Sequence, residues 1–169
     1  MKTSIILAAL ASACFALTSQ AATNVVVNGG FEDTVQGDGT WDIYNVLTGW
    51  NPLPNVEVRN NVVGTAHSGL NFVELDTRFN SAISQDLVTV AGQSYDLSFY
   101  YSPRLGVNSE SNPIDVFLND VLLDTVTGDG TLNSDNVWQL FTFNFIGAEG
   151  TTTTNLRFSA SGISDSLGG

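Results

Sequence analysis

Residues 95–101 read Tyr-Asp-Leu-Ser-Phe-Tyr-Tyr, so large apolar or aromatic side chains occupy every second position. Successive side chains of a β-strand point to opposite sides of a sheet, which places the odd-numbered residues of this segment together on one side. A similar alternation runs through residues 114–119, 137–145 and 155–160. The pattern is typical of antiparallel strands that turn one side to a hydrophobic core and the other to solvent.

Turn motifs separate these segments at short spacing. Asn119-Asp120 lies between two apolar runs, and both residue types tolerate a positive φ, which predicts a two-residue β-hairpin. Glycine-rich segments at 37–39, 128–130 and 147–150 predict loops. Many short strands joined by polar turns predict an all-β fold, specifically an antiparallel β-sandwich or jelly roll.

The N-terminal residues have the pattern of a secretory signal peptide. Met1-Lys2 supplies a positive charge, residues 5–17 are mostly apolar, and Ser19-Gln20-Ala21 provides small residues at the cleavage position. The apolar run is too short for a membrane span, and no other segment is long enough. We therefore expect residues 1–21 to be a signal peptide, residues 22–169 to form a single domain, and the protein to be secreted or held at the cell surface.

The charge and cysteine content exclude several classes of function. Removal of the signal peptide removes Lys2 and Cys14, the only lysine and the only cysteine. No thiol remains for a disulfide, a thiolate metal site or a cysteine nucleophile. Four arginines then oppose 17 acidic residues, for a net charge of −13. Such a charge repels nucleic acid and anionic lipid and suits the collection of divalent cations.

A set of short motifs follows in a fixed order along the chain. It comprises Asn28-Gly29-Gly30-Phe31-Glu32, Gly49-Trp50, His67-Ser68-Gly69, Phe72-Val73-Glu74-Leu75, Ile83-Ser84-Gln85, residues 95–99, Trp138 and Leu156-Arg157-Phe158. With this set the chain resembles the galactose-binding-like jelly-roll domains, in particular bacterial relatives of the plant cell-wall proteins known as domain of unknown function 642. It is also similar to carbohydrate-binding modules of the family 4/9/22 type at Gly-Gly-Phe-Glu and Gly-Trp. The resemblance spans residues 24–169 and implies a carbohydrate-binding jelly roll.

Domains of this kind close with one more strand than the sequence contains. That strand reads like Tyr-Leu-Asp-Asn-Val and directly follows a Leu-Gly-Gly, which here is Leu167-Gly168-Gly169. We therefore expect the sequence to be a fragment that lacks its final strand. The neighbouring strand would then have an unpaired edge.

The resemblance also implies a structural calcium ion. In the similar modules the glutamate of the Gly-x-Phe-Glu motif binds calcium together with loop carbonyls and an aspartate of the final strand. Glu32 matches that glutamate, and carbonyl groups near Gly69 and Asn71 are further candidates because calcium accepts backbone oxygens. The final aspartate has no counterpart here. Glu32 could instead form a cap or pair within the N-terminal turn.

A polysaccharide or cell-wall glycan is the expected ligand, since flat aromatic rings beside short polar groups suit sugars. By strand parity, Tyr100, Phe117, Trp138 and Arg157 can all point out of the sheet on one side, and Trp41 lies in a separate strand. Each also has a structural interpretation; Trp138, for example, could cover an end of the sandwich, as Trp50 could fill the core. Arg104 could clamp the carboxylate of a uronic acid or be tied to an acidic residue of the protein. The expected carbohydrate-binding residues are Tyr100, Phe117, Trp138, Arg157, Arg104 and Trp41.

Catalysis has little support in the sequence. Acidic residues are abundant, but none forms a distinguishable pair for glycoside hydrolysis. His67 is the only histidine, and no Gly-x-Ser-x-Gly motif accompanies it. We expect a monomeric, non-enzymatic binding module. The alternatives are a structural protein of the extracellular matrix or cell surface without a soluble ligand, and a glycoside hydrolase.

Overall fold

The computed structural model describes residues 23–168, so the predicted signal peptide and Gly169 lie outside the described residues. Within this range the chain forms β-strands and no α-helix. Accordingly, no helix between residues 23 and 168 is long and apolar enough to cross a membrane. The strands are β1 (Thr40–Tyr44), β2 (Asn51–Leu53), β3 (Val56–Asn60), β4 (Asn71–Glu74), β5 (Ala82–Val88), β6 (Ser94–Tyr101), β7 (Ile114–Leu118), β8 (Val121–Val126), β9 (Gln139–Ile146) and β10 (Thr153–Ala160).

Every strand pair is antiparallel. One sheet has five strands in the order β2-β5-β10-β7-β8. Opposite it lie a three-stranded sheet, β1-β3-β4, and a two-stranded sheet, β6-β9. This layered arrangement of antiparallel sheets confirms the predicted all-β sandwich class.

The period-two patterns correspond to the observed strands. In β6, Leu97 and Tyr101 are buried, whereas Asp96 and Ser98 are exposed. Asn119 and Asp120 form the predicted hairpin turn between β7 and β8, with φ of 48° and 62°. Alternation and turn chemistry therefore place individual strands correctly.

The core lies between the five-stranded sheet and the two smaller sheets. Phe99 of β6 meets Phe158 of β10 edge-on, with ring centroids 4.9 Å apart. Trp50 is 6% exposed, packs near Phe158 and donates its indole N–H to the Asn28 carbonyl at 3.1 Å. Trp50 is therefore a core residue, as expected, and its one polar atom is satisfied.

A cleft of about 1060 Å³ separates β4 from β6. Every residue of 71–75 and of 93–102 lines it, irrespective of the side to which its side chain points. Such lining is expected where two strand edges, rather than two sheet surfaces, border a space. At one end of β4, the Asp76 amide donates to the Gly168 carbonyl at 3.1 Å in an isolated antiparallel bridge.

Candidate functional site

The candidate site lies on the side of the three-stranded sheet that points away from the core. Val58 of β3 belongs to the core, so its neighbour Arg59 points to the opposite side. Arg59 is directly opposite Trp41 of β1 and directly opposite Phe72 of β4. Because directly opposed residues share one side of a sheet, these three side chains form a row across the strands. Trp41, at its outer end, is 51% exposed.

An aromatic cluster continues this row. The Tyr100 ring is stacked on His67 with centroids 3.5 Å apart and planes inclined by 16°. Trp138 meets His67 edge-on at 6.4 Å and Phe72 edge-on at 6.0 Å. We refer to these four residues, His67, Phe72, Tyr100 and Trp138, as the aromatic cluster. Tyr100 is 44% exposed, so part of the cluster is accessible to a ligand.

Two loops are joined to build the cluster. Trp138 donates its indole N–H to the Thr65 carbonyl at 3.0 Å, and the Asn136 amide donates to the same carbonyl at 3.0 Å. Asp135 accepts hydrogen bonds from the amide and the hydroxyl of Thr65. A side chain at Gly64 would overlap Asn136, since a Cβ would lie 2.4 Å from Asn136 Oδ1. The loop that carries His67 is therefore fixed by the segment that carries Trp138.

A charged cluster lies on the same side of the sheet. It consists of Glu57, Arg59, Glu74 and Arg104. Arg59 Nη2 is 2.5 Å from Glu57 Oε1 and 3.1 Å from Glu74 Oε2. Arg104 Nη1 is 2.7 Å from Glu74 Oε1. Arg59 is 3% exposed, and its Nε and Nη1 have no hydrogen-bond partner.

Burial dominates the electrostatics of Glu74. It raises the pKa of Glu74 to about 8, although the guanidinium groups of Arg59 and Arg104 act in the opposite direction. The charged form is disfavoured because few water molecules reach the carboxylate. Glu74 and Arg104 both line the cleft, so burial favours the protonated form of one polar group in its wall.

The predicted sugar-binding residues divide between the two layers. Tyr100 and Trp41 belong to the smaller sheets and Trp138 directly precedes β9, whereas Phe117 and Arg157 belong to neighbouring strands of the five-stranded sheet. The expectation that Tyr100, Phe117, Trp138 and Arg157 share one side of one sheet is therefore wrong. Parity along a strand determines the side to which a residue points but contains no information on which sheet the strand joins.

Phe117 and Arg157 contact each other. The Arg157 guanidinium carbon lies 3.8 Å from the centroid of the Phe117 ring, and Arg157 Nη2 is 3.0 Å from Asp120 Oδ1. The arginine thus has a cation–π partner and an acidic partner within the protein. This pair stabilises the surface of the five-stranded sheet near the β7–β8 turn.

Arg104 joins its own loop to two other segments of the protein. Its Nη1 donates to the Ser166 carbonyl at 2.9 Å as well as to Glu74, and its backbone amide donates to Asn112 Oδ1 at 2.9 Å. These bonds connect the loop after β6 with β4 and with the C-terminal segment. The alternative in which an acidic residue of the protein holds Arg104 is the arrangement observed.

Glu32 and Gly69 are in direct contact. Glu32 Oε1 accepts hydrogen bonds from the backbone amides of Leu70 and Asn71 at 2.9 and 3.0 Å. Gly69 has a φ of +70°, and a Cβ there would lie 2.2 Å from Glu32 Oε1. Glycine is therefore required by the backbone conformation and by the approach of the carboxylate. Glu32 bridges two distant segments instead of capping its own turn.

Oxygen atoms converge around Asn71. Its side-chain nitrogen donates to the carbonyls of Phe31 and Thr34 at 2.9 and 2.8 Å, while its buried Oδ1 has no partner. Carboxylate, amide and backbone oxygens are the ligands that calcium prefers, so the residues present fit that ion. Between residues 23 and 168, no three or more histidine, cysteine or acidic side chains form a metal-binding group. Backbone and amide oxygens would therefore have to supply most ligands.

Sequence reasoning missed several residues of the candidate site. His67, Phe72, Arg59 and Glu74 are not among the residues that the sequence predicts to bind carbohydrate. Their positions follow from the pairing of β1, β3 and β4, which aligns residues distant in sequence. The usable signal was the alternation Val-Glu-Val-Arg in β3, which places two charges on the side opposite the core.

Comparisons with known proteins support the fold only. No protein-family model matches the chain, and no curated protein sequence matches it. A family 16 carbohydrate-binding module is similar over 84% of this chain and 92% of its own, with a TM-score of 0.53 and 14% identity. Two family 35 modules, from Clostridium thermocellum and Paenibacillus barcinonensis, each give a TM-score of 0.44. The first is 14% identical, and the match covers 72% of this chain and 87% of the module. The second is 17% identical, and the match covers 73% of this chain and 89% of the module. The family 16 module shares the β-sandwich fold of this chain.

Proposed function

We propose that the protein is a secreted, non-catalytic module that binds a polysaccharide or cell-wall glycan on the side of the sheet that carries the aromatic cluster. The observation that carries this proposal is the accessible stack of Tyr100 and His67 beside Trp138, with Trp41 exposed on the same side. The family 16 module with the same fold is a carbohydrate-binding module, which is consistent with the proposal. At 14% identity, that similarity concerns the fold alone.

The binding mechanism combines stacking with hydrogen bonds. Trp41 and Phe72 lie two strands apart, which corresponds to about 10 Å. A linear glycan could therefore contact several rings along the row. Ser68 and Asn136 line the cleft beside the cluster and offer short polar groups to sugar hydroxyls. Because such a site is shallow and polar, we expect modest affinity.

Absence of catalysis is part of the proposal. His67, the only histidine, is stacked on Tyr100. Two acidic residues beside the row, Glu57 and Glu74, are buried and share Arg59 as a partner. This arrangement leaves neither carboxylate free to activate a water molecule, which supports binding without turnover. Membership of the domain of unknown function 642 family, an extracellular location and a monomeric state are further parts of the proposal.

We also propose a structural calcium ion near the N-terminus. Glu32, Asn71 Oδ1 and the carbonyls of Phe31, Thr34 and Gly69 are the candidate ligands. The close approach of these groups and the unsatisfied Asn71 Oδ1 support this proposal. Calcium would neutralise Glu32 and join the first turn to the loop before β4. Chelation should lower the melting temperature, and Glu32→Gln should reduce this calcium-dependent difference.

Affinity electrophoresis against a panel of polysaccharides tests the proposed function. The protein is run in gels that contain one polymer each, once with calcium and once with a chelator. Retardation by one class of polymer, without release of reducing sugar, is the expected result. Equal mobility in all gels, with a normal circular dichroism spectrum, would favour the structural surface protein instead.

A further inference from the structure

A second oxygen-rich site lies at the other end of β4 from the Glu32 region, in the turn that follows the strand. Asp76 is fully buried, with an exposure of 0%, and forms an antiparallel bridge with Asn80. Residues opposed in such a bridge point to the same side with Cβ atoms about 5 Å apart. The carboxylate of Asp76 and the amide of Asn80 are therefore neighbours.

Each of these two side chains has a buried oxygen without a partner. Asp76 Oδ1 and Asn80 Oδ1 accept no hydrogen bond. The remaining polar atoms are well used: Asp76 Oδ2 accepts from the amides of Asp165 and Leu167 at 3.1 and 3.4 Å, and Asn80 Nδ2 donates to the Gly162 carbonyl at 2.8 Å. Leaving two buried acceptors unsatisfied is unfavourable. A bound positive species would satisfy both.

No protein cation supplies that charge within residues 23–168. The ion pairs there involve neither Asp76 nor Asp165. Arg78 lies in the same turn but is exposed and forms none of these pairs. Arg104 approaches the same C-terminal segment but donates to the Ser166 carbonyl. A buried carboxylate without a compensating charge is costly.

Asp165 adds a second carboxylate to the site. Its backbone amide donates to Asp76, its Oδ2 accepts from the Ser111 hydroxyl at 2.8 Å, and its side chain remains exposed. The hydroxyl of Ser164, next to it, accepts from the backbone amide of Asn80 at 2.9 Å. Two carboxylates, an amide oxygen and a hydroxyl group thus belong to one turn and one short segment that hydrogen bonds hold together.

We propose that Asp76, Asn80 and Asp165 bind a divalent cation, with calcium as the natural occupant. Hard divalent cations take carboxylate and amide oxygens and complete their coordination with water, for which the exposed side of Asp165 leaves room. The ion would use the two orphaned oxygens and offset part of the negative charge of a chain that carries 17 acidic residues. This site is separate from the one at Glu32, with which it shares no residue.

Binding of the ion would also affect the side of the sheet that carries the aromatic cluster, through Arg104. The ion would hold residues 162–168 against the turn after β4. In that segment, the Ser166 carbonyl accepts from Arg104, which in turn contacts Glu74 of the charged cluster. Loss of the ion should therefore loosen Arg104 as well as the C-terminal segment.

Isothermal titration of the metal-free protein with calcium chloride tests the proposal, with magnesium chloride as a second probe. Asp165→Asn is the decisive variant because Asp165 is exposed and its replacement should not prevent folding. We expect it to weaken one calcium-binding event by about tenfold or more, since the charge of the ligands sets affinity. Asp76→Asn should abolish that event, and Glu32→Gln, the matched control, should leave it unchanged.

Two results would overturn the proposal. One is calcium binding of equal affinity in the wild type and in folded Asp165→Asn and Asp76→Asn. The other is an absence of calcium binding in Glu32→Gln. In that second case a proton on Asp76 shared with Asn80 would satisfy the two oxygens.

Discussion

At the scale of single residues, Trp138 has two separable roles. Its indole N–H holds the Thr65 carbonyl, and its ring contacts His67 and Phe72. Trp138→Phe keeps a ring but removes the hydrogen bond. We therefore expect its free energy of unfolding to fall by about 1 kcal/mol, while most of the affinity for glycan is retained. Trp138→Ala removes both and should reduce affinity by about tenfold or more. Urea unfolding and affinity electrophoresis measure the two effects, and equal affinities for the two variants would contradict this division.

The pKa of Glu74 predicts a pH dependence of stability. Its value in the folded protein, about 8, lies above the ordinary value of 4.5, so folding favours the protonated form. The associated stabilisation is complete below about pH 4.5 and is lost as the pH rises through 8. The free energy of unfolding should fall by at most about 1.4 kcal/mol per pH unit as the pH rises.

Melting temperatures between pH 5 and pH 9 check this prediction. Glu74→Gln should flatten the curve because the amide resembles the protonated acid. Glu149→Gln, at an exposed position, is the control and should follow the wild type. Parallel curves for the wild type and Glu74→Gln would show that Glu74 does not titrate in this range.

Gly69 provides a further test at this scale. Gly69→Ala would place a Cβ 2.2 Å from Glu32 Oε1 at a φ of +70°. Gly106 has a φ of +73° with no atom within 4 Å of an added Cβ. Gly106→Ala therefore measures how much alanine at a positive φ lowers the free energy of unfolding when no side chain is in its way. We expect Gly69→Ala to lose about 1–3 kcal/mol more than Gly106→Ala in chemical denaturation. Equal losses would mean that the Glu32 contact contributes nothing to stability.

At the scale of elements, the sequence predicts strands better than it predicts sheets. The alternation in residues 95–101 and the turn at Asn119-Asp120 depend on local chemistry and agree with the structure. The separation of Tyr100 from Phe117 depends on β6 pairing with β9 while β7 pairs with β8 and β10. Those pairings join residues far apart in sequence, and a single sequence contains no direct record of them.

The cleft between β4 and β6 predicts that one added strand would stabilise the fold. The Asp76–Gly168 bridge sets an antiparallel register in which position 170 lies opposite Glu74 and position 171 opposite Val73. Val73 contacts the core, so apolar residues at 171, 173 and 175 and threonines between them should suit the cleft. A six-residue extension of this pattern after Gly169 should raise the melting temperature by at least about 3 °C.

Proline supplies the control for this extension. Prolines at 171 and 173 prevent strand pairing while keeping the length. Equal melting temperatures for the two extended proteins would show that the cleft does not accept a strand. The expectation that the natural protein has a final strand stays a prediction.

At the scale of the whole molecule, charge distinguishes between classes of glycan. Arg59, Arg104 and Arg157 all form ion pairs within the protein, and at long range the four arginines leave a net charge of −13 against the 17 acidic residues. Repulsion of an anionic polysaccharide should weaken as salt screens it. Retardation by a polyuronate should therefore increase between low and physiological salt, while retardation by a neutral polymer stays constant. The opposite trend would indicate a direct arginine–carboxylate contact.

The fold class, the charge and the exposure of Trp41 and Tyr100 could thus be inferred from sequence. The composition of the site could not, because Arg59 lies between Trp41 and Phe72 only through pairing of three strands. The same pairing separates Phe117 and Arg157 from that site, which makes Phe117 a useful control. It is an aromatic residue of the opposite layer.

The most direct test of the central claim is the mobility of four proteins in a gel that contains the retarding polysaccharide. These are the wild type, Tyr100→Ala, Trp138→Ala and Phe117→Ala, each first shown to be folded. Binding on the aromatic cluster predicts that Tyr100→Ala and Trp138→Ala lose retardation and that Phe117→Ala keeps it. Loss in Phe117→Ala alone, with retention in the other two, would place the glycan on the five-stranded sheet and contradict the account.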